Sequence, residues 1–228
     1  IQTPQAFNLK EIIYLHKKYK KEFTDDVSLA LEEGYRVKLI KGYKKNFKIT
    51  TSDDLDLFGN IISGEKIRLV GTGFDIHEFT KGKRITLGGV SFKSNYSLLA
   101  NSDGDVLLHA ITDSIFGAFG AGDLGIHFPS NNKLYKNKKS VHFLKKALNI
   151  MEEKKGSIAN LDLNLICDYP KISPIKQKIL KEISALMNIN INKLSLKGTS
   201  TEDQGFINTK NGIAAQAIIS IEVPKYER

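Results

Sequence analysis

Carboxylate and imidazole side chains recur at helical spacing in the middle of the chain. Asp105, His109 and Asp113 follow one another at intervals of four residues, so a helix places all three on one face. Residues 104–120 have the pattern of such a helix, and its other face carries apolar side chains that can bury it. A helix of this kind, lying between two polar loops, indicates a functional site.

A second acidic and imidazole pair precedes this helix. Asp75 and His77 are two residues apart in an extended segment, so their side chains point to the same side. With His109 they supply two imidazoles and one carboxylate, which is the ligand count of a zinc site with an open fourth position. A lone histidine on a helix is more often hydrogen-bonded than metal-bound, so the prediction depends on the three residues together.

The elements that must position these side chains predict an α+β fold. Between residues 66 and 228 strands and helices alternate, and Gly88-Gly89 is a two-residue hairpin signal. We expect a mixed β-sheet with helices on one face. The predicted strands are 67–76, 84–87, 90–92, 161–165, 194–196 and 213–223, and the predicted helices are 104–120, one from Ser140, and one capped by Ser173 with Pro174 in its first position.

The first part of the chain is predicted to be a separate, small α/β unit. Residues 1–62 suggest a helix near 9–19 and a second helix that ends at Gly34. A strand is predicted at 37–40, and residues 46–55 are predicted to pass from a strand into a helix. Residues 63–65 are the expected linker, and 66–228 form the second domain.

Composition restricts the possible classes of protein. The 228 residues carry a formal net charge of +9, and eight lysines fall within residues 131–155. These lysines fall on a loop and on the outer side of a helix, and Tyr135 is the one aromatic residue of the loop, so we expect a solvated face and no nucleic-acid partner. A single cysteine, Cys167, fits a reducing compartment. No apolar run approaches the roughly 20 residues that span a bilayer, so a cytoplasmic protein without a membrane partner is predicted.

The second domain resembles 2-C-methyl-D-erythritol 2,4-cyclodiphosphate synthase over nearly its whole length. The matching segments are GTGFDIHEF, ITLGGV, NSDGDVLLHAITDSIFGAFGAGDLGIHFP, YPKISP and KGTSTEDQGF. The resemblance implies a phosphorus–oxygen lyase of the non-mevalonate isoprenoid pathway. Such an enzyme cyclises 4-diphosphocytidyl-2-C-methyl-D-erythritol 2-phosphate, with release of CMP, and its active sites lie between the subunits of a homotrimer.

Residues 1–62 resemble the C-terminal part of 4-diphosphocytidyl-2-C-methyl-D-erythritol cytidylyltransferase. The matching segments are IQTPQAF, TDDVSLALEEGYRVKLIKG and NFKITTSDDLDL. The family builds its CTP site mainly from a glycine-rich N-terminal loop that these segments do not contain. The two halves together are similar to a bifunctional fusion shortened at its front, and no cytidylyl transfer is expected from this piece alone.

The resemblance assigns metals to particular residues. Asp75, His77 and His109 would hold one Zn²⁺ per chain, and Glu202 would help to hold a Mg²⁺ or Mn²⁺ on the substrate diphosphate. Asn101, Ser200 and Glu202 are the implied catalytic residues.

The resemblance also implies a set of substrate-binding residues. They would contact the 2-phosphate, the methylerythritol hydroxyls, the cytosine and the α-phosphate. They are Asp75, His77, Asn101, Ser102, Asp123, Leu124, Gly125, Phe128, Asn132, Cys167, Lys171, Ser173, Thr199, Ser200, Thr201, Glu202, Phe206 and Thr209.

At four positions the chain departs from the family pattern. Asn101 stands where the family typically has histidine, and Asn can donate a hydrogen bond but carries no charge. Thr209 replaces an arginine, Asn132 replaces a common aspartate, and Ser200 replaces a threonine while keeping the hydroxyl.

Two other functions remain open from the sequence. A zinc hydrolase would need a general base beside a metal-bound water, and Asp105 is a candidate for that base. A basic nucleic-acid-binding module with a structural zinc is the non-enzymatic alternative.

Overall fold

The computed structural model describes residues 5–43, 46, 48–63, 66–129, 131–135, 137–200 and 211–225. The chain divides into two compact units, residues 1–65 and 66–228. Four of the predicted site residues lie outside the described residues, namely Thr201, Glu202, Phe206 and Thr209.

The described part of the first unit consists of helices joined by irregular segments. Its helices are α1 (Leu9–Lys18), α2 (Asp26–Glu32) and α3 (Ser52–Ser63). The side chain of Asp25 caps α2 by accepting a hydrogen bond from the Ser28 N–H. Leu15, Leu29 and Ala30 form a small buried core.

The structure does not contain the strands that were predicted in the described part of the first unit. Residues 35–43 and 48–50 are in neither helix nor strand, and no strand occurs among the residues that the structure describes before residue 64. Leu39 and Ile40 are 76% and 83% exposed. The apolar and β-branched residues of 37–40 favour a strand only where a partner strand accepts their backbone hydrogen bonds. The prediction of a small α/β unit was therefore wrong for this part of the chain.

The second unit is built on a mixed sheet, which confirms the predicted α+β class. The five strands lie in the order β4-β1-β7-β5-β6; β5 and β6 are parallel, and the other neighbours are antiparallel. Strands β2 and β3 form a separate hairpin. The strands are β1 (Lys66–Lys81), β2 (Arg84–Leu87), β3 (Val90–Lys93), β4 (Tyr96–Leu98), β5 (Ser157–Ile166), β6 (Leu194–Thr199) and β7 (Gly212–Pro224).

Four α-helices accompany the sheet in the part of the second unit that the structure describes. They are α4 (Val106–Ala118), α5 (Leu124–His127), α6 (Ser140–Glu153) and α7 (Lys176–Met187). Ser173 does not cap α7, because Ile172 to Ile175 first form a separate turn and the helix begins at Lys176. None of the helices in the described ranges is long and apolar enough to cross a membrane.

Helix α4 is more deeply buried than its sequence pattern predicts. Every residue from Val106 to Phe116 is buried except the half-buried Asp113. The predicted polar face is therefore not exposed to solvent. The helix packs against β1, β7 and α6, and polar Thr112 and Ser114 are accommodated because their hydroxyls donate to backbone carbonyls of the same helix.

Two glycines of β1 allow α4 to lie directly on the sheet. A Cβ atom at Gly71 would lie 1.9 Å from the Ser114 carbonyl oxygen, and one at Gly73 would lie 2.0 Å from the Ala110 carbonyl oxygen. Both distances are far shorter than any real carbon–oxygen contact. Because backbone meets backbone at these points, the helix can approach β1 only where a side chain is missing.

We expect Gly73→Ala to lower the free energy of unfolding by about 3 kcal/mol, near the upper end of the usual cost of overpacking, since neither backbone segment can yield freely. Gly117→Ala, on the helix α4 that packs against Gly73, is the matched control. Its Cβ would lie 3.5 Å from the nearest atom, so higher helix propensity should raise stability by up to about 1 kcal/mol. Urea denaturation measures both, and equal effects would contradict the close approach.

Candidate metal centre

The three predicted metal ligands converge where β1 meets the start of α4. Asp75 and His77 project from β1 on the side that packs against α4, while the intervening Ile76 is on the exposed side. His109 lies in the first turn of α4, where its N–H donates to the Asp105 carbonyl oxygen at 3.0 Å. Strand alternation and the first helical turn thus bring the three side chains together.

Their donor atoms are close enough to share one ion. His109 Nδ1 lies 2.8 Å from Asp75 Oδ2, His77 Nε2 lies 3.1 Å from the same oxygen, and the two nitrogens are 3.3 Å apart. All three ligand atoms lie within 4.8 Å of one another. Two imidazole nitrogens and one carboxylate oxygen in this arrangement fit a catalytic zinc ion, which takes three protein ligands and keeps one position open.

The electrostatics of the cluster keep the carboxylate ionised. Burial by itself raises the pKa of Asp75, but the hydrogen bonds and charges of His109 and His77 outweigh it and lower the pKa to about 2. Burial lowers the pKa of His109, yet the neighbouring Asp75 reverses this effect and the pKa is raised overall. An anionic oxygen beside two imidazoles attracts a divalent cation, which competes with protons for the same atoms.

The second ring nitrogen of His109 contacts hydroxyl groups that the sequence did not link to the site. Nε2 lies 2.9 Å from Ser140 Oγ, at the start of α6, and 3.4 Å from Ser102 Oγ. Ser102 was predicted to bind substrate, whereas Ser140 was recognised only as a helix start. The sequence shows Ser140 as a serine at a helix terminus. That pattern does not show which residue of another element its hydroxyl contacts.

Asp105 holds the fold together beside the site. Its side chain is completely buried and accepts hydrogen bonds from the N–H groups of Gly88 (2.8 Å), Gly89 (2.6 Å) and Leu108 (3.1 Å). It therefore fixes the turn of the β2–β3 hairpin and caps α4. Burial raises the pKa of its carboxyl group, against the lowering effect of the three donors.

Asp113 connects α4 to the loop that follows it. Its carboxylate accepts the N–H of Leu124 at 2.7 Å, and burial raises the pKa of the carboxyl group. The neighbouring Asp123 is exposed and caps α5 by accepting the Ile126 N–H at 2.9 Å. Of the residues predicted to bind the methylerythritol hydroxyls, Leu124 is half-buried and Gly125 is exposed.

Three other predicted site residues lie on loops of the second unit. Asn101 is exposed, and its carbonyl oxygen accepts the Asn137 N–H at 2.9 Å. The Phe128 ring is half-buried and lies 4.6 Å from the Phe143 ring, which is itself 5.9 Å from His109. The side-chain oxygen of Asn132 is used within its own loop.

The residues predicted to bind the nucleotide form a second group at the same end of the sheet. Asp75 on β1 pairs with Ala215 on β7, and Ala215 pairs in turn with Leu165 on β5. Because neighbouring strands lie about 4.8 Å apart, the end of β5 lies about 10 Å from the metal cluster. There the Cys167 N–H donates to the Thr199 carbonyl oxygen at 2.9 Å.

The side chains of this second group differ in exposure. Lys171, Ser173, Thr199 and Ser200 are exposed. Cys167 is buried, and this burial raises the pKa of its thiol to about 12. The thiol is therefore protonated near neutral pH and is unsuited to act as a nucleophile.

Comparison with known families gives two matches along the chain. Residues 68–222 match the model of the YgbB family. The chain belongs to the YgbB family. Residues 1–63 match the model of 2-C-methyl-D-erythritol 4-phosphate cytidylyltransferase. The family assignment confirms the resemblance seen in the sequence segments of both halves.

Related proteins agree with this assignment. The bifunctional enzyme IspD/IspF of Wolbachia pipientis wMel is 42% identical over 231 residues, which cover 99% of this chain and 58% of that protein. The chain thus spans little more than half the length of this curated relative.

Two solved structures share the fold of the second unit. The CDP complex of IspF from Plasmodium falciparum has a TM-score of 0.60 and 39% identity, over 70% of this chain and 97% of that one. The 2C-methyl-D-erythritol 2,4-cyclodiphosphate synthase of Plasmodium vivax has a TM-score of 0.58 and 31% identity, over 70% of this chain and all of that one.

Proposed function

We propose that the second unit is a 2-C-methyl-D-erythritol 2,4-cyclodiphosphate synthase of non-mevalonate isoprenoid synthesis. It would cyclise 4-diphosphocytidyl-2-C-methyl-D-erythritol 2-phosphate and release CMP. The observation that carries the proposal is the convergence of Asp75, His77 and His109 in a chain of the YgbB family. A CDP-bound relative supports a nucleotide diphosphate as the ligand class.

The proposed reaction needs no covalent attachment to the protein. An oxygen of the 2-phosphate attacks the β-phosphorus, the bond from that phosphorus to the bridging oxygen breaks, and CMP leaves with the electron pair. The difficulty is to bring anionic groups together, so orientation and charge stabilisation must supply most of the rate enhancement.

Different residues would supply metal binding and hydrogen-bond donors for this reaction. Asp75, His77 and His109 would hold Zn²⁺, which when bound acts as a Lewis acid toward a phosphate oxygen. Ser102 offers a hydroxyl beside the cluster, and Asn101 offers an amide donor. Exposed Thr199 and Ser200 offer hydroxyls for the α-phosphate side. Glu202, outside the described residues, is the proposed ligand of Mg²⁺ or Mn²⁺.

The geometry argues against the hydrolase alternative. That function needs a general base free to accept a proton from water. Asp105 was the candidate, but it is completely buried and both of its carboxylate oxygens accept backbone N–H groups. It therefore cannot reach a water at the metal cluster.

Product analysis tests the proposal directly. The chain is incubated with the CDP substrate, Zn²⁺ and Mg²⁺, and the products are identified by mass spectrometry. A synthase yields CMP and the cyclic diphosphate in equal amounts. A hydrolase acting at the same phosphorus yields CMP and an open-chain product heavier by one water, and absence of the cyclic product refutes the proposal.

Asn101→His should raise kcat by about 3- to 10-fold with little change in KM, because a charged donor forms a hydrogen bond about twice as strong as a neutral one. Steady-state rates of CMP release measure this effect. An unchanged or lower kcat contradicts the assignment of Asn101 to the developing phosphate charge.

We further propose that the unit works as a homotrimer with sites shared between subunits. The sheet face opposite α4 carries apolar side chains that are largely exposed, including Val70 (63%), Phe74 (48%), Ile76 (50%) and Ile218 (42%). A second and third copy would cover this face.

Mixing two inactive variants tests shared sites. His109→Ala removes a metal ligand, and Glu202→Ala removes a residue of the proposed diphosphate group. Coexpressed variants should recover part of the wild-type activity, because some interfaces in mixed trimers join two intact halves. Mixed trimers verified by mass that remain inactive contradict the arrangement.

A further inference from the structure

Both ring nitrogens of His109 contact other side chains, one in the metal cluster and one on the opposite side of the ring. Nδ1 faces Asp75, whereas Nε2 lies 2.9 Å from Ser140 Oγ. The Ser140 hydroxyl in turn donates a hydrogen bond to Asp103 Oδ1, and the Ser140 N–H donates to the same oxygen at 3.0 Å. A continuous chain of contacts thus runs from a carboxylate on one loop to the imidazole on α4.

The donors and acceptors of this chain fix the proton on the ring. Asp103 Oδ1 is a carboxylate acceptor, so the single Ser140 hydroxyl proton points toward it. The Ser140 oxygen can then only accept from His109, which requires a proton on Nε2. In the neutral ring this leaves the lone pair on Nδ1, the atom that faces Asp75 and His77.

The surroundings make the arrangement rigid. Ser140 is completely buried and His109 is 8% exposed, and the Phe143 ring lies 5.9 Å from the imidazole. Hydrogen bonds shielded from water are stronger and restrict side-chain orientation more than exposed ones. Ser102 Oγ, at 3.4 Å from Nε2, is a longer and weaker contact.

We propose that Ser140 and Asp103 are positioning residues that hold His109 as an Nδ1 ligand of the metal. The inference rests on the proposed metal centre and extends it to two residues outside the predicted site. Metal-binding histidines generally donate the other ring N–H to an acceptor, and loss of that acceptor weakens metal binding. Here the acceptor is a serine hydroxyl that a carboxylate orients.

A purely structural role of Ser140 and Asp103 must be distinguished from the positioning of His109. Asp103 also serves the start of α6, because Lys139 at the N-cap makes no side-chain capping bond and Asp103 accepts the Ser140 N–H instead. Ser140→Ala keeps that backbone N–H and removes only the hydroxyl. It therefore leaves the cap of α6 in place and breaks the contact with His109.

The test compares Ser140→Ala with Ser114→Ala in the full chain. Ser114 is equally buried on α4, and its hydroxyl donates to the Ile111 carbonyl oxygen at 2.7 Å. Both variants lose one buried hydroxyl. Zinc affinity is measured by competition with a chromophoric chelator, and the Co²⁺-loaded proteins are compared by visible absorption, which reports ligand geometry.

We expect Ser140→Ala to bind zinc about 10- to 100-fold more weakly than wild type and to change the Co²⁺ spectrum, while Ser114→Ala stays within twofold. Equal affinities for both variants and wild type overturn the inference. If Ser140→Ala does not fold, Asp103→Asn is the test variant. Its amide oxygen can still cap α6, but it is a weaker acceptor for the Ser140 hydroxyl. An unchanged zinc affinity of Asp103→Asn also overturns the inference. Wild type that binds no zinc refutes the metal centre itself.

Discussion

His109→Ala should lower CMP release at least 1,000-fold and leave little zinc in the purified chain. The variant removes one of three protein ligands, and the cluster that remains has only one imidazole and one carboxylate. Loss of the metal removes a transition-state contribution of several kcal/mol, and about 4 kcal/mol corresponds to a factor of 1,000 in rate. Activity and zinc content are measured on the same preparation.

His16→Ala is the matched control for this variant. His16 lies in the first unit, is largely exposed and pairs with Asp26 at 2.9 Å, so its loss should change neither zinc content nor CMP release. Circular dichroism shows whether both variants keep their fold. A folded His109→Ala variant with full activity, or a metal-free wild type with full activity, would remove the basis of the proposed metal centre.

Asp105→Ala should destabilise the chain by more than about 3 kcal/mol. Three buried N–H groups, those of Gly88, Gly89 and Leu108, lose their acceptor, and each unsatisfied buried donor costs about 1–3 kcal/mol. The turn of the hairpin and the first turn of α4 lose their common anchor. Urea denaturation of the full chain measures the loss.

Asp123→Ala provides the comparison for a carboxylate that only caps a helix. Asp123 is exposed and accepts one N–H, that of Ile126, so its removal should cost about 0.5–2 kcal/mol. If Asp105→Ala costs no more than this, the three buried hydrogen bonds do not contribute as the structure implies.

The metal ligands were predictable because local rules govern their positions. Asp75 and His77 lie on one side of β1 by strand alternation, and His109 lies at the start of a helix with an evident apolar pattern. The Gly88-Gly89 hairpin is also a local signal, and both glycines have positive φ angles of 59° and 83°, as a type I′ turn requires.

What the sequence did not predict depends on contacts between distant elements. Ser140 meets His109 only because α6 packs on α4, and no pattern within either helix encodes that contact. Residues 37–40 have strand-forming side chains, but they have no partner strand among the described residues. The sequence pattern predicted one buried apolar face of α4, but it does not show how many neighbours surround a helix, so the burial of the opposite face was not predicted.

Because α4 is buried around almost its whole circumference, we expect it to tolerate few insertions or deletions. Inserting or deleting one residue within 106–116 would rotate every later side chain by about 100° around the helix axis. On a half-exposed helix such a change can be absorbed by rotation toward solvent. Here Ser114 would turn away from Gly71, and larger side chains would meet the backbone of β1. We therefore expect length differences among relatives to fall outside α4, in loops such as the lysine-rich segment before Ser140.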